Sequence, residues 1–368
     1  MTLPSQPLLG LGLLLALLGP PDPAGESSQP RPATALLEKG SLLYERGDTA
    51  GALRAFDAAV KADPADARAH YLRGIALEKK GDVTGAEAAY RAALARKPDF
   101  AEAHNNLGSL CLARGEIAAA ARSFETAVKA RPAYPEAYFN LGVARDAQIA
   151  QGGKGDGPGG DAVAAYREAV RLKPGDSAYR LNLGAALRRR GDFKDALVAF
   201  KEATRLAPKD PLAWANLGMM QADLKADDDA VGALDRATRL KPDFALAWNR
   251  LGRVELRRGH LDAAVDAQER ARKLDSKNGA FAADLCRILI EKKDTGRAVA
   301  ACQAAVDLDA RNPLARYELG KALVAKGDCA GARREMDRFR GLPGVKPEAK
   351  TRADEIAKSC GKRAPPAP

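Results

Sequence analysis

The chain has 368 residues, 46% of them hydrophobic but only 5% aromatic, a balance that, with abundant alanine, suits closely packed helices and argues against a barrel or sandwich. Lys and Arg number 59 against 48 Asp and Glu, a net charge of +11 that would steer the protein toward acidic proteins, anionic membranes or nucleic acid. The basic residues are spread along the whole chain, with no compact run interleaved with aromatics, which counts against nucleic acid.

In chain order, the first feature is an apolar run from Leu8 to Gly19 followed by Pro and small residues. It has the length of a signal-peptide core and falls short of the roughly 20 residues that span a bilayer. Residues 1–25 are expected to be a signal peptide and the protein to be exported, to a periplasm or outside the cell. No Lys or Arg precedes the run and no clean Ala-x-Ala site follows it, so an uncleaved N-terminal membrane anchor is the alternative. Residues 26–32 read as a Pro-rich linker.

From residue 33 a period takes over. Proline recurs at Pro64, Pro98 and Pro132, then at Pro174, Pro208 and Pro242, at intervals of 34 residues broken once by an interval of 42. The odd interval holds QGGKGDGPGG, residues 151–160. A phosphate-cradling loop would need a glycine five residues before its Gly-Lys pair and a Ser or Thr after it, but Gly153-Lys154 has Gln148 before and Gly155 after. The stretch therefore reads as a lengthened turn inside the fourth unit. Within each unit the fourth residue is often aromatic or His (His70, His104, Tyr138, Trp214, Trp248). A Leu-Gly pair follows (Leu107-Gly108, Leu141-Gly142, Leu183-Gly184, Leu217-Gly218, Leu251-Gly252, Leu319-Gly320). A turn glycine comes next (Gly47, Gly81, Gly115, Gly191, Gly259, Gly327), then Ala-x-x-x-aromatic (Ala52/Phe56, Ala86/Tyr90, Ala162/Tyr166, Ala196/Phe200).

This pattern resembles the tetratricopeptide repeat, with Trp, Leu-Gly, Tyr, Ala, Phe and Pro at matching spacings. The resemblance implies an all-α fold, a right-handed α-solenoid of about nine helical hairpins over residues 33–344 with a concave groove, in which small Gly and Ala let paired helices approach and stacking is obligatory. The units start at Ala33, Ala67, Ala101, Pro135, Ser177, Pro211, Ala245, Gly279 and Pro313. The later ones depart from the pattern: Lys225 replaces a turn glycine, Leu234 and Gln268 replace aromatics, and Cys286 and Cys302 replace a Gly and its aromatic. Residues 345–360 fit a capping helix, and 361–368 a disordered tail.

Cys286 and Cys302 are the eighth and twenty-fourth residues of one hairpin, which antiparallel helices bring opposite each other. Cys329 opens the second helix of the ninth unit, and Cys360 closes the cap helix running back along it. Disulfides Cys286–Cys302 and Cys329–Cys360 are expected, with Cys111 a small core residue. His70 and His104 occupy an aromatic's packing position, and His260 follows a turn. No Ser/His/Asp set, metal-ligand spacing or convergent carboxylate pair is found, so no catalysis, metal, cofactor or small-molecule substrate is expected.

In the family, residues two, five, six, nine, twelve and thirteen of each first helix line the groove. The sixth is asparagine in Asn106, Asn140, Asn182 and Asn216, similar to the ladder in the repeat superhelix of the O-linked N-acetylglucosamine transferase, which implies that these amides hold the backbone of an extended peptide. Further along, the face turns basic, with Arg250, Arg253, Arg257, Arg287 and Lys321. Asn216 and Arg250 match the family's carboxylate clamp for acidic C-terminal peptides, whereas Leu181, Ala185 and Leu246 replace its other polar residues. The expectation is an exported, non-catalytic scaffold that binds a peptide or partner protein with an acidic segment, in assembly of an envelope or secretion complex. The alternatives are a regulatory array for a transferase on another chain and, further off, a nucleic-acid or anionic-surface binder.

Overall fold

The computed structural model describes residues 32–152 and 161–360. The signal segment, the linker as far as residue 31, residues 153–160 of the glycine stretch and the tail 361–368 lie outside the described residues. Among the described residues there are nineteen helices and no strand, and no helix is long and apolar enough to cross a membrane. The chain divides into two units, Met1–Tyr179 and Arg180–Pro368.

The first unit stacks four helical hairpins: α1 (Pro32–Glu45) with α2 (Thr49–Ala62), α3 (Ala67–Lys80) with α4 (Val83–Arg96), α5 (Ala101–Ala113) with α6 (Ile117–Ala130), and α7 (Pro135–Ala150) with α8 (Ala162–Leu172). Helix α9 (Ser177–Arg190) starts just before the division and runs into the second unit. There follow α10 (Phe193–Leu206), the hairpins of α11 (Pro211–Asp223) with α12 (Asp227–Leu240), α13 (Ala245–Arg257) with α14 (Leu261–Leu274), α15 (Gly279–Glu291) with α16 (Thr295–Leu308) and α17 (Pro313–Lys326) with α18 (Cys329–Arg340), and lastly α19 (Pro347–Ser359).

Local chemistry fixes where these helices stop and start. At Gly47 and Gly81 the backbone is left-handed, with φ of 84° and 89°, which ends the first helix of the hairpin. The aspartate that follows caps the second: Asp48 accepts from the Gly51 N–H and Asp82 from the Gly85 N–H, both at 2.8 Å. Lys225 and Lys293 hold the same turn position at φ of 64° and 62°, so the left-handed turn persists without glycine. In the fourth hairpin α7 has 16 residues and α8 only 11.

The core repeats one contact. The eighth residue of each unit meets the twenty-fourth, on the second helix (the thirty-second in the fourth unit, which is eight residues longer), and the space between them is smaller than a methyl group. A Cβ on Gly74 would lie 2.5 Å from the Tyr90 ring, one on Gly142 2.6 Å from Tyr166, and one on Gly184 2.7 Å from Phe200. Where the aromatic is missing, other side chains fill the place: Leu234 against Gly218, Met336 against Gly320 and Gln268 against Gly252. In the eighth hairpin the pair is Cys286 and Cys302, joined as a disulfide with Cα atoms 5.0 Å apart. A second disulfide, Cys329–Cys360, has its Cα atoms 5.4 Å apart, both distances falling in the usual disulfide range. It pins the end of α19, which also packs Ala353 on Met336 and Phe339. Cys111 is a buried free thiol.

The close contact predicts opposite outcomes for one substitution at two sites. Gly74→Ala is expected to lower stability by about 1–3 kcal/mol, because the fully buried Tyr90 ring has nowhere to retreat. Gly232→Ala in α12, where an added Cβ meets nothing within 4 Å, is expected to raise it by about 0.5–1 kcal/mol. Urea midpoints of the two variants check both signs. Peptide mapping without reductant is expected to recover the two linked pairs and Cys111 as a thiol. Removing Cys286–Cys302, which closes 16 residues, is expected to cost on the order of 3 kcal/mol in the chain-entropy account.

Candidate ligand-binding surface

A helix turns 100° per residue, so positions two, six, nine and thirteen of a first helix fall within a narrow stripe. On α13 these are Leu246, Arg250, Arg253 and Arg257; on α11, Leu212, Asn216, Met219 and Asp223; on α15, Ala280, Asp284, Arg287 and Glu291; on α17, Leu314, Glu318, Lys321 and Ala325. Their polar groups are used very unequally. Arg188 on α9 donates to Asp223 at 2.6 Å. Arg257 donates twice to Asp227, at 3.1 and 2.5 Å, and that bond holds the Asp227 carboxyl below its ordinary range. Arg287 reaches Asp284 at 3.3 Å, and Lys321 reaches Glu318 at 2.8 Å.

Arg250 and Arg253 differ from these: neither forms an ion pair among the described residues. Arg250 is half-buried, and its Nε has no protein acceptor. Burial, and after it the charges of Arg253 and Arg188, depress its pKa below the usual arginine value, although it remains a cation at neutral pH. A tight cleft of about 60 Å³ holds Arg250 beside Arg188, Arg253, Arg257 and Asp223. It adjoins two wider clefts, of about 430 and 650 Å³, that share Arg253 and Arg257 with it. Seven basic residues and two acidic ones line the three together, so this part of the second unit is a concentrated cationic surface.

The four asparagines have different partners in the two units. In the first unit Asn106 is only 7% exposed, and its amide nitrogen donates to the hydroxyls of Tyr90 at 3.3 Å and Tyr71 at 3.4 Å. The Tyr90 hydroxyl in turn donates to Glu78 at 2.6 Å, and burial holds both phenols far above their ordinary pKa. Asn140 donates to Asn105 of the preceding repeat at 2.9 Å. These two amides therefore tie neighbouring repeats together. The reason is local: Tyr71 and Asn105, at the fifth position of their helices, bring polar atoms that compete for the amide. In the second unit Asn182 is half-buried, and Asn216 donates to the Leu212 carbonyl one turn back at 2.9 Å.

Comparison with known proteins places this architecture. The sequence pattern described as tetratricopeptide repeat matches residues 37–99, 79–121, 159–211, 186–243, 228–279 and 284–344, and a second, described as TPR repeat, matches 108–148. The chain belongs to the tetratricopeptide repeat family. Among solved structures, the Cut9–Hcn1 hetero-tetramer of the APC/C is similar at 21% identity and a TM-score of 0.52, over 79% of this chain and 55% of that one. The TPR protein therefore spans little more than half the length of that chain. PilF of Pseudomonas aeruginosa is 19% identical with a TM-score of 0.48, over 57% of this chain and 92% of its own. YrrB, described as a TPR protein with an unusual peptide-binding site, is 24% identical with a TM-score of 0.46, over 52% of this chain and 95% of its own. At such identities the likeness is one of fold. No curated protein sequence matches the chain. TPR proteins are in general interaction scaffolds without catalytic activity, and this chain shares that architecture.

Two features of the TPR surface were not drawn from the sequence. Arg188, at the twelfth position of α9, joins the cationic cleft. The fourth-position side chains share one bond: the ring nitrogens of His70, His104, Trp214 and Trp248 lie 2.8–3.1 Å from the carbonyl of the proline six residues earlier. Because a carbonyl only accepts, each histidine carries its proton on Nε2, and this explains why His and Trp can both serve there. The signal was legible as a constant spacing between the proline and a ring with an N–H. For the ladder, Asn106→Ala is expected to lower stability by about 1–3 kcal/mol, since it strips a donor from two buried phenols. A thermal melt checks this, with Tyr71→Phe as the companion that removes one of the same bonds.

Proposed function

We propose that the protein is a non-catalytic interaction scaffold that works outside the cytoplasm and binds an acidic segment of a partner protein on the first-helix face of its second unit. The observation that carries this reading is the pair of guanidinium groups, Arg250 and Arg253, that lack carboxylate partners on a surface where neighbouring cations have them. A carboxylate presented there meets preorganised donors. Arg287 is assigned a supporting role, because Asp284 already holds one of its nitrogens. Asn182 and Asn216 are assigned to the backbone of the same segment. The two cysteine pairs at disulfide distance point to an oxidising compartment, which agrees with the leader read from residues 8–19 and supports a role in assembling an envelope or secretion complex.

The test is a titration of a fluorescent glutamate-rich peptide into the full chain and into the Arg250→Ala/Arg253→Ala double variant. Exposed ion pairs contribute about 0.2–1 kcal/mol each, so at low salt the variant is expected to bind roughly 2- to 30-fold more weakly. The difference should shrink above physiological ionic strength, where the screening length falls below about 8 Å. Equal binding by the two proteins at low salt overturns the reading.

A further inference from the structure

The cationic surface has an apolar border. Leu212, Leu246 and Leu314 occupy the second position of α11, α13 and α17, and they are 48%, 41% and 47% exposed; Ala280 stands at that position on α15. Isolated exposed leucines need no explanation. These recur in register near the start of their helices, on the same stripe as Arg250, Arg253 and Arg287, which follow one to two turns later. The surface is thus a row of apolar side chains running beside a row of cations.

Distances select the form of chain that fits both rows. Helices α11, α13, α15 and α17 pack each on the next, and packed helices lie roughly 8–10 Å apart, so the leucine row repeats at about that interval. A helical ligand laid across them advances about 10.5 Å in seven residues and returns to the same face. An extended ligand covers about 10 Å in three residues, an odd number, which turns alternate contacts away from the surface. Along α13 the Arg250 and Arg253 positions lie roughly 6 and 10 Å from Leu246, so a helix about 10–12 Å wide can touch the leucines with one edge and the arginines with the other.

We infer that the segment bound by the second unit is an amphipathic α-helix of a partner protein, with apolar residues at seven-residue intervals against Leu212, Leu246 and Leu314 and carboxylates along one flank against Arg250 and Arg253. This rests on the acidic-segment reading above and specifies its conformation and its second anchoring chemistry. It also accounts for the hydrophobic Leu246 at a position where the family's clamp carries a polar group: the leucine contacts an apolar stripe.

The probe is a 24-residue peptide with leucine every seventh position and glutamates on one flank, compared with a scrambled peptide of the same composition that destroys the interval. Both are titrated into the full chain, into Leu212→Ser/Leu246→Ser and into Arg250→Ala/Arg253→Ala. The patterned peptide is expected to bind the wild type at least about tenfold more tightly than the scrambled one, to gain helical circular dichroism on binding, and to lose that advantage in the leucine variant at every salt concentration. Both leucines are exposed, so the variant keeps its fold, and its own circular dichroism verifies this. If patterned and scrambled peptides bind alike and the leucine variant binds like wild type, the helical assignment fails while the acidic-segment reading stands. If neither peptide binds at low salt, the acidic-segment reading itself fails.

Discussion

The structure depends on the distance between two helices at one point per repeat. Where Gly74 faces Tyr90, or Gly142 faces Tyr166, the backbone of the first helix comes so near the ring that no Cβ would fit. That contact sets the separation of the hairpin, and the separation determines how the next hairpin can stack. Because no hairpin buries its own apolar face, the contact and the stacking stand or fall together. The spacing of 34 residues is the sequence record of that packing.

The contact is uniform in the first unit, where Phe56, Tyr90, Phe124 and Tyr166 fill it, and varied in the second, where Leu234, Gln268, the Cys286–Cys302 disulfide and Met336 take over from Phe200. The variation reaches the surface. Gln268 is fully buried; its carbonyl accepts from Asn249, and its amide donates to the Phe281 carbonyl at 2.9 Å. Asn249 also donates to Asp284 at 2.9 Å, and Asp284 accepts from Arg287. A change in the core of one hairpin therefore fixes a carboxylate on the face of the next and partly neutralises its arginine. A buried polar chain of this kind is tolerated because its members satisfy one another. The disulfide serves the neighbouring hairpin similarly, closing the eighth-to-twenty-fourth contact by a covalent bond where ring packing is lost.

Much of this was legible because packing repeats. The positions of the hairpins, both cysteine pairs and the substitution of Lys225 for a turn glycine could be read from spacing, and the fold from the family resemblance that the spacing carries. Ion-pair partners could not, since they depend on which side chains of adjacent repeats meet. The sequence marks Arg250, Arg253, Arg287 and Lys321 as equivalent cations on one face. The structure divides them, because Asp284 and Glu318 lie one turn from Arg287 and Lys321 while no acid lies at that offset from Arg250 or Arg253. The same limit applies to Asn106. Its place in the repeat is that of Asn216, but only Asn106 has Tyr71 and Tyr90 within reach.

Buried arginine nitrogens also occur away from the cationic cleft, and the contrast gives Arg250 its meaning. Arg131 has an Nε without an acceptor, yet its guanidinium is paired with Glu102 at 3.0 Å and lies over the Tyr134 ring at 3.9 Å. Arg145 has the same feature and contacts Glu125 and the Asp161 carbonyl. In both, the charge is balanced within the fold. Arg250 has the desolvation without the partner, and two other guanidiniums beside it raise the cost of its charge. An uncompensated donor at a buried position costs about 1–3 kcal/mol, and a ligand oxygen in hydrogen-bond reach would recover part of that. The second unit therefore carries, in its free state, an electrostatic penalty at Arg250 on an accessible face, where the Arg287 Nε also lacks an acceptor. Such a penalty favours binding of a negatively charged group over remaining empty, and the leucine row beside it restricts which charged segments can use it.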